Sequence, residues 1–139
     1  MTVDAAAAQE FLRANHHGVL ATIRTDGRPQ LSPVTQTVDD LGRVIISTRE
    51  TAVKVKNLRR DPRVALTAFT DGFYGDWVQV EGTAEIVSLP EAMDLLIDYY
   101  RRASGGEHPD WDEYRAAMTD QKRVLLRFTI ERAGPNVSG

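Results

Sequence analysis

The stretch HHGVLATIRTDGRPQLSPVTQTV, residues 16–38, contains two runs of β-forming residues on either side of Thr-Asp-Gly-Arg. Asp-Gly between two such runs is a strong hairpin signal, because glycine readily adopts the positive φ that a tight turn requires. We therefore predict strands at about 17–24 and 29–38. A second turn at DDLG (39–42) and the apolar run RVIIST (43–48) predict a third strand that follows directly.

The rest of the pattern adds strands and places helices at the margins of the sheet. Asp4 and Asp110 are positioned to cap helices, Pro90 to open one, and Asp61-Pro62 to end one, since the residue before proline avoids helical geometry. Six strands without strict βαβ alternation predict a mainly β, mostly antiparallel fold with flanking helices, arranged as a small barrel that shares a face with a second copy. Helices are predicted at 4–14, from Glu50 or Thr51 to residue 60, at 90–103 and at 111–118, and the further strands at 63–69, 76–88 and 122–133.

Composition limits the class of protein. The chain has 139 residues, 42% hydrophobic and 27% charged, a balance and length that suit one globular domain over residues 1–139. It contains no cysteine, which excludes disulfides, thiolate metal sites and a cysteine nucleophile. Its formal charge of -3 argues against a nucleic-acid partner. No apolar run approaches the roughly 20 residues that span a bilayer, and the first residues lack a secretory signal, so we expect a cytoplasmic protein without a membrane partner.

Motifs for metal-dependent or hydrolytic catalysis are absent from the sequence. His16 and His17 are adjacent and point to opposite faces of a strand, while His108 lies in a loop far along the chain, which is poor ligand geometry. There is no G-x-S-x-G, G-x-x-x-x-G-K-[ST] or G-x-G-x-x-G sequence. We therefore predict no metal site and name no catalytic acid, base or nucleophile.

The segment STRETAVKVKNLRRDP (47–62) gathers cations in a chain that has 17 Lys and Arg against 20 Asp and Glu. Three interpretations are open: a solvated helix face, a nucleic-acid patch, or a site for a phosphorylated small molecule. Aromatic residues are not interleaved with the cations, which argues against nucleic acid. Lys54 falls in the first helical turn, where a cation does not help the helix but suits a bound anion. The residues expected to pack this helix are Val53, Val55 and Leu58.

Four parts of the sequence, in a fixed order, carry a family resemblance. They are GVLATIRTDGRPQLSPV (18–34), VIISTRETAVKVKNLRRDPRVAL (44–66), WVQVEGTAEIV (77–87), and DWDEYRAAM with KRVLLRFTI (110–130). Together they resemble the flavin/deazaflavin oxidoreductases related to pyridoxamine 5'-phosphate oxidase, and in particular the deazaflavin-dependent B branch found in actinobacteria. Single motifs such as NLRRDP are weak, but their order and spacing are specific.

The resemblance implies a split β-barrel that forms a homodimer, with two cofactor sites in grooves between the subunits. The cofactor of this branch is coenzyme F420, a 5-deazaflavin with a phosphodiester and a polyglutamate tail. Its members transfer a hydride from reduced F420 to an electrophilic small-molecule substrate such as an enone, a lactone or a bilin. Because the cofactor carries this chemistry and solvent can protonate the product, the resemblance implies no catalytic residue.

The resemblance also assigns cofactor-binding positions. Lys54 corresponds to the family's principal phosphate-binding lysine, and Trp77 to an aromatic residue that meets the cofactor from the partner subunit. Ala52 stands where close relatives often have an arginine, a loss that Arg49 or Lys56 would offset. The other expected cofactor contacts are Gln30, Ser32, Pro33 and Val34 on one strand, Ser47 and Thr48 at the end of the next, and Lys56 and Asn57 on the helix.

Two alternatives to an F420-dependent reductase follow from the same resemblance. One is an FMN-dependent oxidase of the pyridoxamine-phosphate type, which uses a flavin with a terminal phosphate. The other is a non-catalytic barrel that binds a cofactor or haem without turnover.

Overall fold

A curled sheet of eight strands organises the chain in the computed structural model, which describes residues 4–134. The strands are β1 (His17–Ile23), β2 (Pro29–Val38), β3 (Val44–Arg49), β4 (Arg63–Phe69), β5 (Trp77–Thr83), β6 (Glu85–Val87), β7 (Arg123–Phe128) and β8 (Arg132–Ala133). The helices are α1 (Ala5–Ala14), α2 (Val53–Arg60), α3 (Ala92–Ser104) and α4 (Trp111–Asp120). The strand order is β6-β7-β3-β2-β1-β4-β5-β8. The predicted mainly β fold with flanking helices is confirmed.

The β1–β2 hairpin forms where the sequence predicts it. Gly27 has a φ of 85°, the left-handed conformation that glycine adopts without steric cost. Its N–H donates to the Arg24 carbonyl at 2.9 Å, and the Arg24 N–H donates to the Arg28 carbonyl at 2.8 Å. The register then places Leu20 opposite Ser32 and continues antiparallel along both strands.

Helix boundaries follow the predicted caps, with two corrections. The carboxylates of Asp4 and Asp110 accept the N–H groups of Ala7 at 2.7 Å and Glu113 at 3.1 Å, and α2 ends at Arg60, with Asp61 as its C-cap. However, α2 begins only at Val53, and α3 begins at Ala92 rather than at Pro90, because residues 89–91 form a turn. No helix within residues 4–134 is long and apolar enough to cross a bilayer.

Two of the predicted long strands are each divided into two. The run 76–88 becomes β5 and β6, and the run 122–133 becomes β7 and β8. Each changes partner at the break: β5 pairs with β4 and β8, whereas β6 pairs with β7. A continuous strand could not pair in both places, so the sheet turns a corner at these two breaks. Six predicted strands therefore become eight.

Hydrophobic side chains fill both sides of β3. Val44 and Ile46 contribute to a core enclosed by the sheet, together with Leu12 of α1 and Val55 of α2, whereas Ile45 faces a second cluster formed with α3 and α4. The packing residues of α2 differ in part from those predicted. Val55 and Leu58 are buried as expected, but Val53, the first residue of the helix, is 56% exposed, and Asn57 is buried instead.

Gly82 allows the corner to close. A Cβ at this position would lie 2.4 Å from the Thr129 carbonyl oxygen and 2.6 Å from the Phe128 ring, contacts that neither backbone nor core could accept without moving. A Cβ at Gly106, by contrast, would meet nothing within 4 Å. The approach of β5 to the segment between β7 and β8 therefore requires glycine.

We predict that Gly82→Ala lowers the free energy of unfolding by about 1–3 kcal/mol, the usual cost of forcing extra volume into a packed site. Chemical denaturation monitored by circular dichroism measures this change. Gly106→Ala is the matched control and should leave the free energy nearly unchanged. Equal stability of the two variants would contradict the close packing at the corner.

Candidate functional site

Lys54 lies at the junction between the end of β3 and the start of α2. The turn between them is closed by a hydrogen bond from the Ala52 N–H to the Arg49 carbonyl at 3.0 Å. Ala52 is the N-cap of α2 but has no side chain that could accept a backbone N–H. The Lys54 ammonium instead reaches back to the Thr48 hydroxyl, at 3.5 Å. The structure therefore brings together two predicted site residues, Lys54 and Thr48.

Arg123 joins this junction from the far end of the chain. In the β3–β7 ladder Arg49 lies directly opposite Arg123, so their side chains emerge on the same face of the sheet. The Arg123 guanidinium donates to the Gln121 side-chain oxygen at 2.8 Å. We call Arg49, Lys54 and Arg123 the cation cluster. Sequence reasoning missed Arg123, because only the pairing of two distant strands brings it to Lys54.

Electrostatics distinguish the cation cluster from the other basic residues. Burial, and then the charge of Arg123, hold the pKa of Lys54 below its ordinary value. Burial, and then the charge of Arg49, lower the pKa of Arg123 in the same way. Of the ion pairs formed within residues 4–134, none involves a member of the cluster. Lys54 and Arg123 are therefore partly buried positive charges beside the exposed Arg49, and a bound anion would neutralise them.

Ser47 and Tyr99 border the cluster on its outer side. Ser47 precedes Thr48 on β3 and thus shares the face of Arg49. The Tyr99 hydroxyl, from α3, donates to the Thr35 carbonyl at 2.9 Å, and Tyr99 lies near the charge of Arg123. Burial raises the pKa of Tyr99, so its phenol is neutral near pH 7. A neutral hydroxyl and Ser47 therefore lie next to the cation cluster.

Asn57 and Gln30 meet elsewhere, in an internal hydrogen-bond network. The Asn57 side-chain amide donates to the Thr22 hydroxyl at 3.1 Å, and that hydroxyl donates to the Gln30 side-chain oxygen at 3.3 Å. Arg60 donates to the Asn57 side-chain oxygen at 3.2 Å. The buried Asn57 therefore links α2 to β1, whereas Lys56 projects from the exposed side of the helix.

The predicted contacts on β2 are divided between its two faces. Gln30, Ser32 and Val34 lie opposite buried residues of β1 and are themselves partly buried, whereas Pro33 is exposed on the other face. The Ser32 hydroxyl oxygen is buried and has no hydrogen-bond partner within residues 4–134. Of these four side chains, Pro33 alone is exposed at the outer surface.

Trp77 is remote from the cation cluster along the sheet. It pairs with Phe69 at the start of β5, and strands β4, β1 and β2 separate β5 from β3. In strand order, Trp77 is therefore not a neighbour of the β3–α2 junction that carries Lys54.

An apolar surface covers the outer side of β2, β1 and β4. Cross-strand pairing places Leu31 beside Ala21, and Ala21 beside Ala65, along one row of this face. Leu31 is 61% exposed, and Phe73 and Tyr74 in the loop before β5 are exposed as well. Exposed large apolar side chains of this kind are candidates for a protein–protein interface.

The histidines are engaged separately. The His16 Nδ1 lies 2.9 Å from the Gln36 carbonyl oxygen, and the His17 Nδ1 lies 3.1 Å from the Asp71 carboxylate. Within residues 4–134 no three His, Cys, Asp or Glu side chains are grouped in a way that could hold a metal ion.

Two hollows open on the surface. A groove of about 290 Å³ lies beside Arg123 at the start of β7. A larger hollow of about 420 Å³ lies near the hairpin end of β1, where Arg63 and Glu81 contribute to its wall. The larger hollow is lined by no member of the cation cluster, so its greater volume does not make it the better candidate for an anion-binding site. The cation cluster and the adjacent groove form the candidate site.

Comparison with known proteins places this geometry in a family. The sequence profile described as Pyridoxamine 5'-phosphate oxidase matches residues 5–135. A solved structure of a conserved hypothetical protein from Mycobacterium tuberculosis is 32% identical, covers 96% of this chain and 84% of its own, and superposes with a TM-score of 0.77.

More distant structures share the fold alone. A protein described as an F420 reductase is 22% identical over 94% of this chain and 96% of its own, with a TM-score of 0.67. A haem-binding protein from Mycobacterium smegmatis is 21% identical over 100% of this chain and 56% of its own, with a TM-score of 0.69.

Proposed function

Because this chain belongs to the pyridoxamine 5'-phosphate oxidase family, whose profile matches residues 5–135, we propose that it is an oxidoreductase that binds coenzyme F420. The observation that carries the proposal is the cation cluster of Arg49, Lys54 and Arg123, which has no carboxylate partner within residues 4–134. The F420 reductase with the same fold is consistent with it. The substrate class is an electrophilic small molecule such as an enone or a lactone.

The donor set fits the anionic part of the cofactor. Lys54 would bind a phosphodiester oxygen, with Thr48 holding the ammonium in place at 3.5 Å. Arg49 would provide part of the charge that an arginine at Ala52 would bring, and Arg123 adds charge from β7. Charge-assisted hydrogen bonds of this kind are the strong ones. The residues of this chain therefore suit a phosphate-bearing cofactor more than a neutral one.

When bound, reduced F420 supplies a hydride for an electrophilic carbon of the substrate. The chain's own residues would bind and orient the ligand: the cation cluster would hold its anionic end, and β2 around Pro33 would lie against its ring system. Tyr99 remains neutral because burial raises its pKa, and its hydroxyl is held by the Thr35 carbonyl at 2.9 Å. The side chains at this site would therefore bind and orient the ligand, and none of them is assigned a proton-transfer step.

We further propose that a second copy of the chain covers the apolar surface around Leu31 and completes the site. The separation of Trp77 from β3 within one chain supports this, since Trp77 would reach the cofactor groove only from a partner. The exposed aromatic residues of the loop before β5 lie on the same side: the Phe69 and Phe73 ring centroids are 6.2 Å apart. Each cofactor groove would then lie between two subunits of a homodimer.

An FMN-dependent enzyme is the nearest alternative. FMN also carries a phosphate, so the cation cluster suits it, and the phosphate oxidase profile that matches the chain is consistent with it. A non-catalytic haem-binding protein is the second alternative, because one solved structure with this fold binds haem. Titration with all three ligands separates these functions.

We predict that the protein binds F420 more tightly than FMN or haem. Lys54→Ala should weaken F420 binding by about 1–3 kcal/mol, the usual loss when a hydrogen bond to a charged group is removed, which is roughly a five- to 150-fold rise in Kd. Fluorescence titration of the purified protein measures both effects.

Arg13→Ala is the control for this titration. Arg13 lies on α1, where it is paired with Glu10, and its removal changes the net charge equally. It should leave the F420 affinity unchanged. Tighter binding of FMN than of F420 would establish the alternative flavin enzyme, and an unaffected Lys54→Ala variant would overturn the phosphate-site assignment.

For the dimer we predict that Leu31→Glu produces monomers, because a carboxylate on each copy would be buried without a partner at the shared face. Light scattering coupled to size-exclusion chromatography measures the mass. Leu41→Glu, at an exposed leucine in the β2–β3 turn, is the matched control and should remain dimeric. A wild-type protein that elutes as a monomer at all accessible concentrations would contradict the shared face.

A further inference from the structure

The groove beside Arg123 continues from the cation cluster. It lies between the end of α4, the start of β7 and the segment that joins β6 to α3. Arg123 belongs to both features: it lines the groove and lowers the pKa of Lys54. A ligand anchored at Lys54 can therefore extend past Arg123 into the groove without leaving the protein surface.

Lys122 contributes a second cation in an unusual backbone conformation. Its φ is 52°, which makes it the one residue other than glycine with a positive φ among residues 4–134. Its N–H donates to the Thr119 carbonyl at 3.1 Å, and its carbonyl accepts the Glu50 N–H at 2.8 Å. Glycine or asparagine would adopt this conformation at lower cost. The backbone conformation therefore does not account for a lysine at position 122. A role for its charged side chain at the groove does.

The acidic residue of the groove is already engaged. Glu50 lines the wall, but its carboxylate is paired with Arg59 and accepts a hydrogen bond from the Ser88 hydroxyl at 3.4 Å. Arg59 is thereby removed from the set of cations available to a ligand. Lys122 and Arg123, in contrast, form no ion pair within the described residues. The groove therefore has a positive side that faces an incoming anion.

We propose that this groove is a second anionic subsite, which binds a carboxylate-bearing extension of the ligand held by the cation cluster. The proposal rests on the function proposed above, and it specifies which part of the ligand the groove recognises. Lys122 would bind a carboxylate in the groove, and Arg123 would bridge that carboxylate and the phosphodiester. FMN ends at its phosphate and would leave the groove empty, whereas Lys122 and Arg123 would hold carboxylates of the glutamate tail of F420 there. The subsite therefore favours F420 over FMN.

The experiment compares F420 that carries its glutamate tail with the same compound lacking glutamates, by fluorescence titration at fixed ionic strength. The wild-type protein should bind the tailed form more tightly, and added salt should reduce the difference. Lys122→Asn removes the charge but tolerates the left-handed conformation. It should weaken binding of the tailed form by about two- to fivefold, the range for an exposed ion pair, and leave the tailless form unchanged.

Two controls keep the result interpretable. Arg13→Asn removes a cation on α1 that does not line the groove, and it should affect neither ligand. The unfolding temperature of ligand-free Lys122→Asn should equal or exceed that of the wild type, because asparagine suits the backbone better there. That result shows that a loss of affinity arises from the missing charge and not from misfolding.

Equal affinity of the wild type for the tailed and tailless forms would overturn the subsite and leave the proposed function standing. Lys122→Asn weakening both forms alike would overturn it as well. If the wild type bound neither form, the proposed function itself would fail, and the subsite with it.

Discussion

The antiparallel pairing of β3 with β7 is the constraint on which the candidate site depends. It places Arg49 opposite Arg123 at the point where β3 turns into α2, so that Lys54 joins two arginines. Like charges directly opposite each other on a sheet destabilise it. The fold retains this arrangement although the sheet alone gains nothing from it. A bound anion would turn the repulsion into attraction, which is the physical basis of the proposed phosphate site.

Protonation of Lys54 links this site to stability. Its pKa in the folded protein is lowered by burial and by Arg123, so between that value and the ordinary lysine value the unfolded chain binds more protons than the folded one. The unfavourable contribution of Lys54 is therefore complete at neutral pH and is relieved as the pH rises through this window. A phosphate beside the ammonium would raise the pKa again, because an opposite charge favours the protonated form. Binding of the phosphate would therefore also relieve the electrostatic repulsion between Lys54 and Arg123.

Local signals predicted much of this structure, and long-range pairing accounts for the rest. The hairpin at Gly27 and the caps at Asp4 and Asp110 depend on neighbouring residues, which the sequence displays directly. The position of Lys54 in the first turn of α2 is equally local. Arg123 could not be placed beside it, because no pattern in the sequence fixes the register of β3 against β7. The break at Ala84 and the burial of Asn57 were missed for the same reason: both depend on which distant strand lies alongside.

The pKa of Lys54 tests the central claim most directly, and the protein's three lysines make it measurable by NMR of isotopically labelled lysine side chains. In the ligand-free protein we predict a pKa below the ordinary lysine value of about 10.4, and a rise when F420 is added. An ordinary pKa for Lys54 that does not respond to the cofactor would contradict the account.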